Sequence, residues 1–295
     1  MTTPLPANIP IDLSRVLSRD EAQDYTRRLS RAHYENFSVV SWFLPKELRQ
    51  HFFNVYAYCR WSDDLADETG DPARSLELLD WWKGELRGCY AGHPKHPVFV
   101  ALAATIERFN IPSRPFEDLL SAFVQDQTVT RYPTFEELRD YCRRSADPVG
   151  RLVLYLGGYR DEERQRLSDS TCTALQLANF WQDVARDWDK GRVYLPLEDL
   201  ARCGVAEEQI RDRRFTPQFG ELMRFEVERT RQWFAEGLPL LKQVDRRLRR
   251  DLELFTRGGQ TVLDLIERQG YDVLSRRPVL TKAGKVRLML LRLLP

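Results

Sequence analysis

The chain has 295 residues, 42% of them hydrophobic and 30% charged, with a net charge of +1. That balance gives no global attraction to nucleic acid or anionic lipid, and no apolar run approaches the roughly 20 residues of a membrane span. Five cysteines without paired spacing make no disulfide framework and read as core residues or thiols of a reducing compartment. The opening MTTPLPANIPIDLS has neither a basic n-region nor an apolar h-region, so no secretory signal is expected and the protein reads as cytoplasmic.

Residues 1–17 read as a loosely ordered lead-in, and 18–295 as one all-α catalytic domain. Pro and Gly fall mainly between apolar-periodic intervals, at Pro45, Gly70–Pro72, Gly92–Pro97, Pro112–Pro115, Pro133, Gly157–Gly158, Pro217 and Gly258–Gly259. The spacing predicts helices over 19–33, 46–67, 74–90, 97–109, 115–127, 134–145, 147–158, 160–188, 217–255 and 259–275. Ser18 ahead of Asp20–Glu21, and Thr134 ahead of Glu136–Glu137, carry start signals of the capping-box kind. Period-2 alternation is scarce, and VYLP at 193–196 is its best short stretch.

Two of these helices carry unusual charge. In YAYCRWSDDLADE (56–68), a turn of 3.6 residues places Tyr56, Arg60, Asp63 and Asp67 on one stripe. In LQLANFWQDVARDWDKGRVYLP (175–196), Asn179, Asp183 and Asp187 recur at i, i+4, i+8, with Gln176 on the same side. Carboxylates so placed repel one another unless a cation bridges them. Two such stripes facing each other would suit Mg²⁺, which takes one or two carboxylates together with substrate phosphate oxygens. The alternative for the first stripe is a solvated helix face with an Arg60–Asp64 pair.

These two stretches resemble the aspartate-rich motifs of the squalene/phytoene synthase family. AHYENFSVVSWFLP at 32–45 resembles that family's N-terminal His-x-x-x-Phe segment, and QDQTVTRYPTFEELRDYC at 125–142 its central segment. The resemblance covers roughly residues 20–280. It implies an isoprenoid-synthase-type helical bundle around a central cavity, and a prenyl diphosphate lipid as substrate. It assigns Mg²⁺ to Asp63, Asp67, Asn179, Asp183 and Asp187, and diphosphate contacts to Arg60, His33 and Arg276. Tyr56 and Gln176 would line the reacting centre, and Phe37 the cavity wall. His33 has a second reading as a structural histidine.

The chain departs from the common family pattern in three places, one of them Gln182–Asp183, where many members read Arg-Asp. His33 is followed by Tyr34, Glu35 and Asn36 rather than by Lys, and YCRRSADPVG at 141–150 places Arg143 where an aromatic is usual and Asp147 where Gly is usual. That pattern is similar to the bacterial hydroxysqualene synthase branch, which serves hopanoid synthesis. It implies ionisation of presqualene diphosphate, rearrangement of the cation and capture by water, with no NADPH. Glu35, Asn36 and Arg143 are the candidates for holding that water. Arg143 and Arg144 have the alternative of pairing with Glu136, Glu137 or Asp140 on a helix surface. The rival readings are a head-to-head synthase making presqualene diphosphate, squalene or phytoene, and a non-catalytic scaffold. The C-terminal TKAGKVRLMLLRLLP reads either as a last packed helix or as a peripheral membrane-surface helix.

Overall fold

The computed structural model describes residues 15–32 and 46–280. His33, Glu35, Asn36 and Phe37 lie outside the described residues, as does the C-terminal segment with the membrane-surface reading. The described residues form twelve α-helices and one 3₁₀ turn. VYLP supplies only an isolated parallel bridge, Arg131 to Val193. The helices are α1 (Arg19–Ala32), α2 (Lys46–Asp67), α3 (Pro72–Tyr90), α4 (Pro97–Phe109), α5 (Arg114–Gln125), α6 (Phe135–Ser145) and α7 (Asp147–Leu156). They continue with α8 (Glu162–Asp189), α9 (Leu197–Cys203), α10 (Glu207–Arg211), α11 (Pro217–Gly237) and α12 (Arg246–Arg268).

Helix starts follow the expected chemistry. Ser18 N–H donates to Glu21 Oε2 at 2.8 Å while Glu21 N–H donates to Ser18 Oγ at 3.4 Å, which is a reciprocal capping box. Thr134 accepts from Glu137 N–H at 3.2 Å. Asp71, Asp161 and Asp245 cap α3, α8 and α12 with their side chains. Each satisfies N–H groups that the first turn leaves without a partner.

The expected helix over 217–255 is in fact two. α11 ends at Gly237, a 3₁₀ turn spans Leu238–Lys242, and Asp245 starts α12. Pro239 cannot donate to a continuing ladder. The expected break at Gly258–Gly259 is absent, since α12 runs through both residues. A Cβ at Gly259 would meet Phe234 Cζ at 2.5 Å and Leu175 Cδ2 at 2.7 Å. That glycine therefore permits close helix packing rather than a turn.

The chain divides into two compact units, Met1–Thr128 with Arg151–Arg160, and Val129–Gly150 with Asp161–Pro295. The first is built on an aromatic core. Trp61 stacks on Trp82 at 5.3 Å, and Tyr58 on Trp82 at 6.1 Å. Their polar tips are satisfied, with Trp61 Nε1–H donating to Tyr25 Oη at 2.9 Å, Trp82 Nε1–H to Ser62 Oγ at 3.0 Å and Tyr58 O–H to the Phe116 carbonyl at 2.7 Å. Large aromatic burial with paired tips is what stabilises such a core.

The second unit is organised on the 28-residue α8. Its inner side buries Leu177, Phe180, Trp181 and Val184, and Trp181 Nε1–H donates to Thr230 Oγ1 of α11 at 2.7 Å. Phe180 stacks on Tyr194 at 3.8 Å, and Tyr194 in turn on Tyr132 and Tyr141. α8 is thereby fixed in rotation, which decides where its polar residues point.

Candidate active site

On α2 the polar stripe is shared out unequally. Asp64, which has no place in the expected metal set, is the buried carboxylate. Arg60 contacts Asp64 directly and reaches Asp63 at 3.5 Å and Glu68 at 3.1 Å. Burial pushes the Asp64 carboxyl up to about 7, against the pull of Arg60. Asp63 is half-exposed and Asp67 exposed, so both present carboxylates outward. Tyr56 is half-buried, and desolvation raises its phenol above the ordinary value. The structure thus contains the Arg60–Asp64 pair, while Asp63 and Asp67 keep outward access.

On α8, Asp183 and Asp187 stand in different surroundings. Arg277 grips Asp183 with both arms, Nε to Oδ1 at 2.5 Å and Nη2 to Oδ2 at 2.8 Å. The same guanidinium donates to Gln182 Oε1 at 3.0 Å, and Gln182 Nε2 donates to the Pro278 carbonyl at 2.6 Å. Two residues of α8 thus anchor the segment that follows α12. Asp187 has a buried Oδ2 without a hydrogen-bond partner. Burial, then the charge of Asp183, lifts its carboxyl to about 7, with Lys190, Arg192 and Arg277 pulling the other way. Gln176 is half-buried and Asn179 exposed.

The departures from the family pattern receive physical explanations of different kinds. Arg143 is exposed and pairs with Asp140 at 3.2 Å and Glu136 at 3.8 Å, the helix-surface arrangement. Asp147 is fully buried. It accepts from Arg139 Nη1 at 3.0 Å and from Thr173 Oγ1 at 2.8 Å, and Arg139 lies 4.8 Å over the Trp233 ring. Burial drives the Asp147 carboxyl up to about 7 despite Arg139. Thr173 is on α8, three residues before Gln176, so this ion pair steadies the helix that carries the acidic stripe.

Arg277 is the residue that sequence reasoning missed. Arg276, the expected diphosphate contact, is exposed, and its carbonyl accepts from Gln269 Nε2 at 2.9 Å. The two arginines are adjacent in a non-helical stretch, where no periodicity tells which one turns toward α8. The nearest signal was Gln182, which departs from the Arg common in the family and receives Arg277.

Among the described residues no group of three or more His, Cys, Asp or Glu side chains is gathered as a ready metal cage. Mg²⁺ needs no such cage, because it retains waters and binds through one or two carboxylates and substrate phosphates. The orphaned Asp187 Oδ2 is an acceptor that burial has stripped of water, and a hard cation would satisfy it. The donor set therefore fits a divalent cation.

The family profile for squalene/phytoene synthase matches residues 30–284, and the chain belongs to that family. Among solved structures, it is similar to squalene synthase HpnC from Alicyclobacillus acidocaldarius. Identity is 48%, the TM-score is 0.82, and the match covers 89% of this chain and 97% of that one. A dehydrosqualene synthase at 24% identity also has a TM-score of 0.82, covering 93% and 96% of the two chains, and shares the fold. Phytoene synthase of Thermus thermophilus is 35% identical over 250 residues, 85% of each chain. Phytoene synthase of Arthrospira platensis is 31% identical over 277 residues, 88% of each chain. The family acts on prenyl diphosphates and generally depends on divalent metal. Among the described residues no helix is long and apolar enough to cross a membrane.

Proposed function

We propose that the chain is a Mg²⁺-dependent hydroxysqualene synthase converting presqualene diphosphate and water to hydroxysqualene and diphosphate. The observation that supports this reading is the 48% identity to squalene synthase HpnC, against 31% and 35% to the phytoene synthases. The Glu35 and Arg143 departures support the same branch.

Asp63 and Asp67 of α2, and Asn179, Asp183 and Asp187 of α8, are the residues that would hold Mg²⁺. When bound, it supplies charge neutralisation for the departing diphosphate. Arg60, His33, Arg276 and Arg277 are the residues proposed to offer positive charge to the diphosphate, which would be electrostatic stabilisation of the leaving group. The C–O bond breaks with its electron pair on diphosphate. The cyclopropylcarbinyl cation then rearranges; Tyr56, Gln176 and Phe37 are the residues proposed to line the reacting centre, and aromatic faces stabilise positive charge. Water adds its oxygen to the rearranged cation and releases one proton. Glu35, Asn36 and Arg143 are the residues proposed to hold that water, which for Arg143 requires leaving its surface pairing with Asp140 and Glu136. No hydride donor enters the balance.

The phytoene synthase relatives, and the squalene synthase name of HpnC, favour a second reading, head-to-head condensation of two prenyl diphosphates. The deciding experiment incubates the protein with Mg²⁺ and either farnesyl diphosphate or presqualene diphosphate, without NADPH. Hydroxysqualene from presqualene diphosphate alone is expected. A C30 or C40 product from a simple prenyl diphosphate overturns the reading. No product from either substrate favours a scaffold. If Arg143→Tyr leaves the hydroxylated product and its rate unchanged, Arg143 has no part in holding water.

A further inference from the structure

An open-mouthed surface cavity of about 440 Å³ in the first compact unit is lined by Arg19 and Gln23 of α1, His51 of α2, and Ala104, Glu107 and Arg108 of α4. None of these residues belongs to either acidic stripe. We propose that this cavity is a second anion site, which takes a phosphate-bearing ligand through Arg19, Arg108 and the Nε2–H of His51.

The proton on His51 is fixed by a hydrogen-bond chain. Asn54 Nδ2 donates to the Ala101 carbonyl at 2.9 Å. A carbonyl only accepts, so the orientation of the Asn54 amide is set. The second Nδ2 proton goes to Thr105 Oγ1 at 3.0 Å. Asn54 Oδ1 accepts from Thr26 Oγ1 at 2.8 Å and Gln50 Nε2 at 2.9 Å, which agrees with that orientation. Thr105 keeps its hydroxyl proton to give, and His51 Nδ1 lies 2.9 Å from its oxygen. With that proton donated to Nδ1, the ring proton sits on Nε2, the tautomer the site requires. His51 itself is 9% exposed and stands edge-on to Phe109 at 4.9 Å. Its position is locked at both nitrogen and ring.

Burial, then the guanidinium charges of Arg108 and Arg19, hold the imidazole below its ordinary value and hence neutral at pH 7. The lining then offers one neutral N–H donor and two permanent cations, with no need to protonate the ring. Such a set favours an oxyanion and disfavours an amine. The countercharge is Glu107, whose carboxylate is 4.0 Å from Arg19, with the two side chains 85% and 61% exposed. Exposed pairs of that length contribute little, so a phosphate can replace Glu107 at Arg19 with small loss. The ligand could be a free phosphate ester or an anionic phospholipid headgroup. The site stands independently of the assigned reaction.

The test is histidine-ring NMR of the full chain with inorganic phosphate, in chelator to keep divalent metal out. His51→Gln assigns the signal among the four histidines. A saturable shift of the His51 ring, with a dissociation constant of about 1 mM or tighter, is expected. It should be lost in Arg19→Gln/Arg108→Gln, which replaces two exposed side chains and should keep the wild-type Tm. A parallel arm sediments both proteins with phosphatidylglycerol and phosphatidylcholine vesicles. Stronger wild-type binding to phosphatidylglycerol supports the site and names the headgroup as its source. Phosphate shifts without a vesicle difference support it and name a free ester. An unmoved His51 signal with no vesicle difference, or an equal shift in the double variant, overturns the proposal.

Discussion

Arg277 and Asp183 form a two-armed ion pair at 2.5 and 2.8 Å. A guanidinium thus occupies both oxygens of a carboxylate proposed to bind Mg²⁺. Arg and metal compete for the same charge, so in the substrate-free enzyme the arginine must release Asp183 before a cation can use both oxygens. Arg277→Met should therefore tighten Mg²⁺ or Mn²⁺ binding to substrate-free protein by about three- to tenfold. Turnover should fall, because the released guanidinium no longer reaches diphosphate. Calorimetric titration of the metal checks the first part. Unchanged or weaker binding would show that Arg277 is not a competitor.

Asp187 and Asp189, two residues apart on α8, stand in different surroundings. Asp187 has a buried oxygen with no hydrogen-bond partner, whereas Asp189 is exposed and pairs with Arg213 at 2.7 Å. Asp187→Asn should cut kcat/KM on the order of 100-fold. Asp189→Asn should change it by less than about twofold. Steady-state kinetics on presqualene diphosphate would decide, and equal effects would remove Asp187 from the metal set.

The pattern of what could be read in advance follows the range of the interactions. Local chemistry was legible. Pro, Gly and the Ser18 and Thr134 caps located most helix starts. Interactions between distant residues were not legible. Gly259 resembled a breaker because its reason for being small is Phe234, on a different helix. Asp147 stood out as a departure, but its partners Arg139 and Thr173 lie 8 and 26 residues away. Asp64 looked like a bystander to Asp63 and Asp67, yet it alone of the three is buried. Stripe geometry gives direction around one helix, and burial depends on what packs against it.

Two glycines in helices should respond oppositely to alanine. A Cβ at Gly150 would collide with Ser168 Oγ and lie 2.5 Å from Cys172 Sγ, both on α8. Gly150→Ala should cost about 1–3 kcal/mol through overpacking. Gly84, exposed on α3, has nothing within 4 Å of the added atom. Gly84→Ala should stabilise by about 0.4–1 kcal/mol by restricting the unfolded chain. Urea unfolding of both variants tests the pair. A destabilised Gly84→Ala or a neutral Gly150→Ala contradicts the packing described.

His96 gives the acid limb of stability a specific origin. It is buried among Trp61 at 4.5 Å, Trp82 at 4.8 Å and Trp81 at 5.8 Å. Its Nδ1 accepts from Val98 N–H at 3.3 Å as the cap of α4, and its Nε2 has no hydrogen-bond partner. Burial lowers its folded value from 6.5 to about 3. The folded protein thus refuses a proton that the unfolded chain accepts below 6.5. This contribution is complete above pH 6.5 and is lost as pH falls toward 3, by about 1.4 kcal/mol per pH unit. The raised carboxyls of Asp64 and Asp147 act with the opposite sign between pH 7 and 4, because the folded state binds their protons more tightly. Comparison with His96→Asn cancels those terms, since asparagine can cap α4 but cannot titrate. Above pH 7 the variant should be the less stable, having lost the ring from the aromatic core. On acidification from pH 6.5 to 4 the gap should close or reverse. Urea midpoints of the two proteins across that range should converge, and parallel curves would place the acid sensitivity elsewhere.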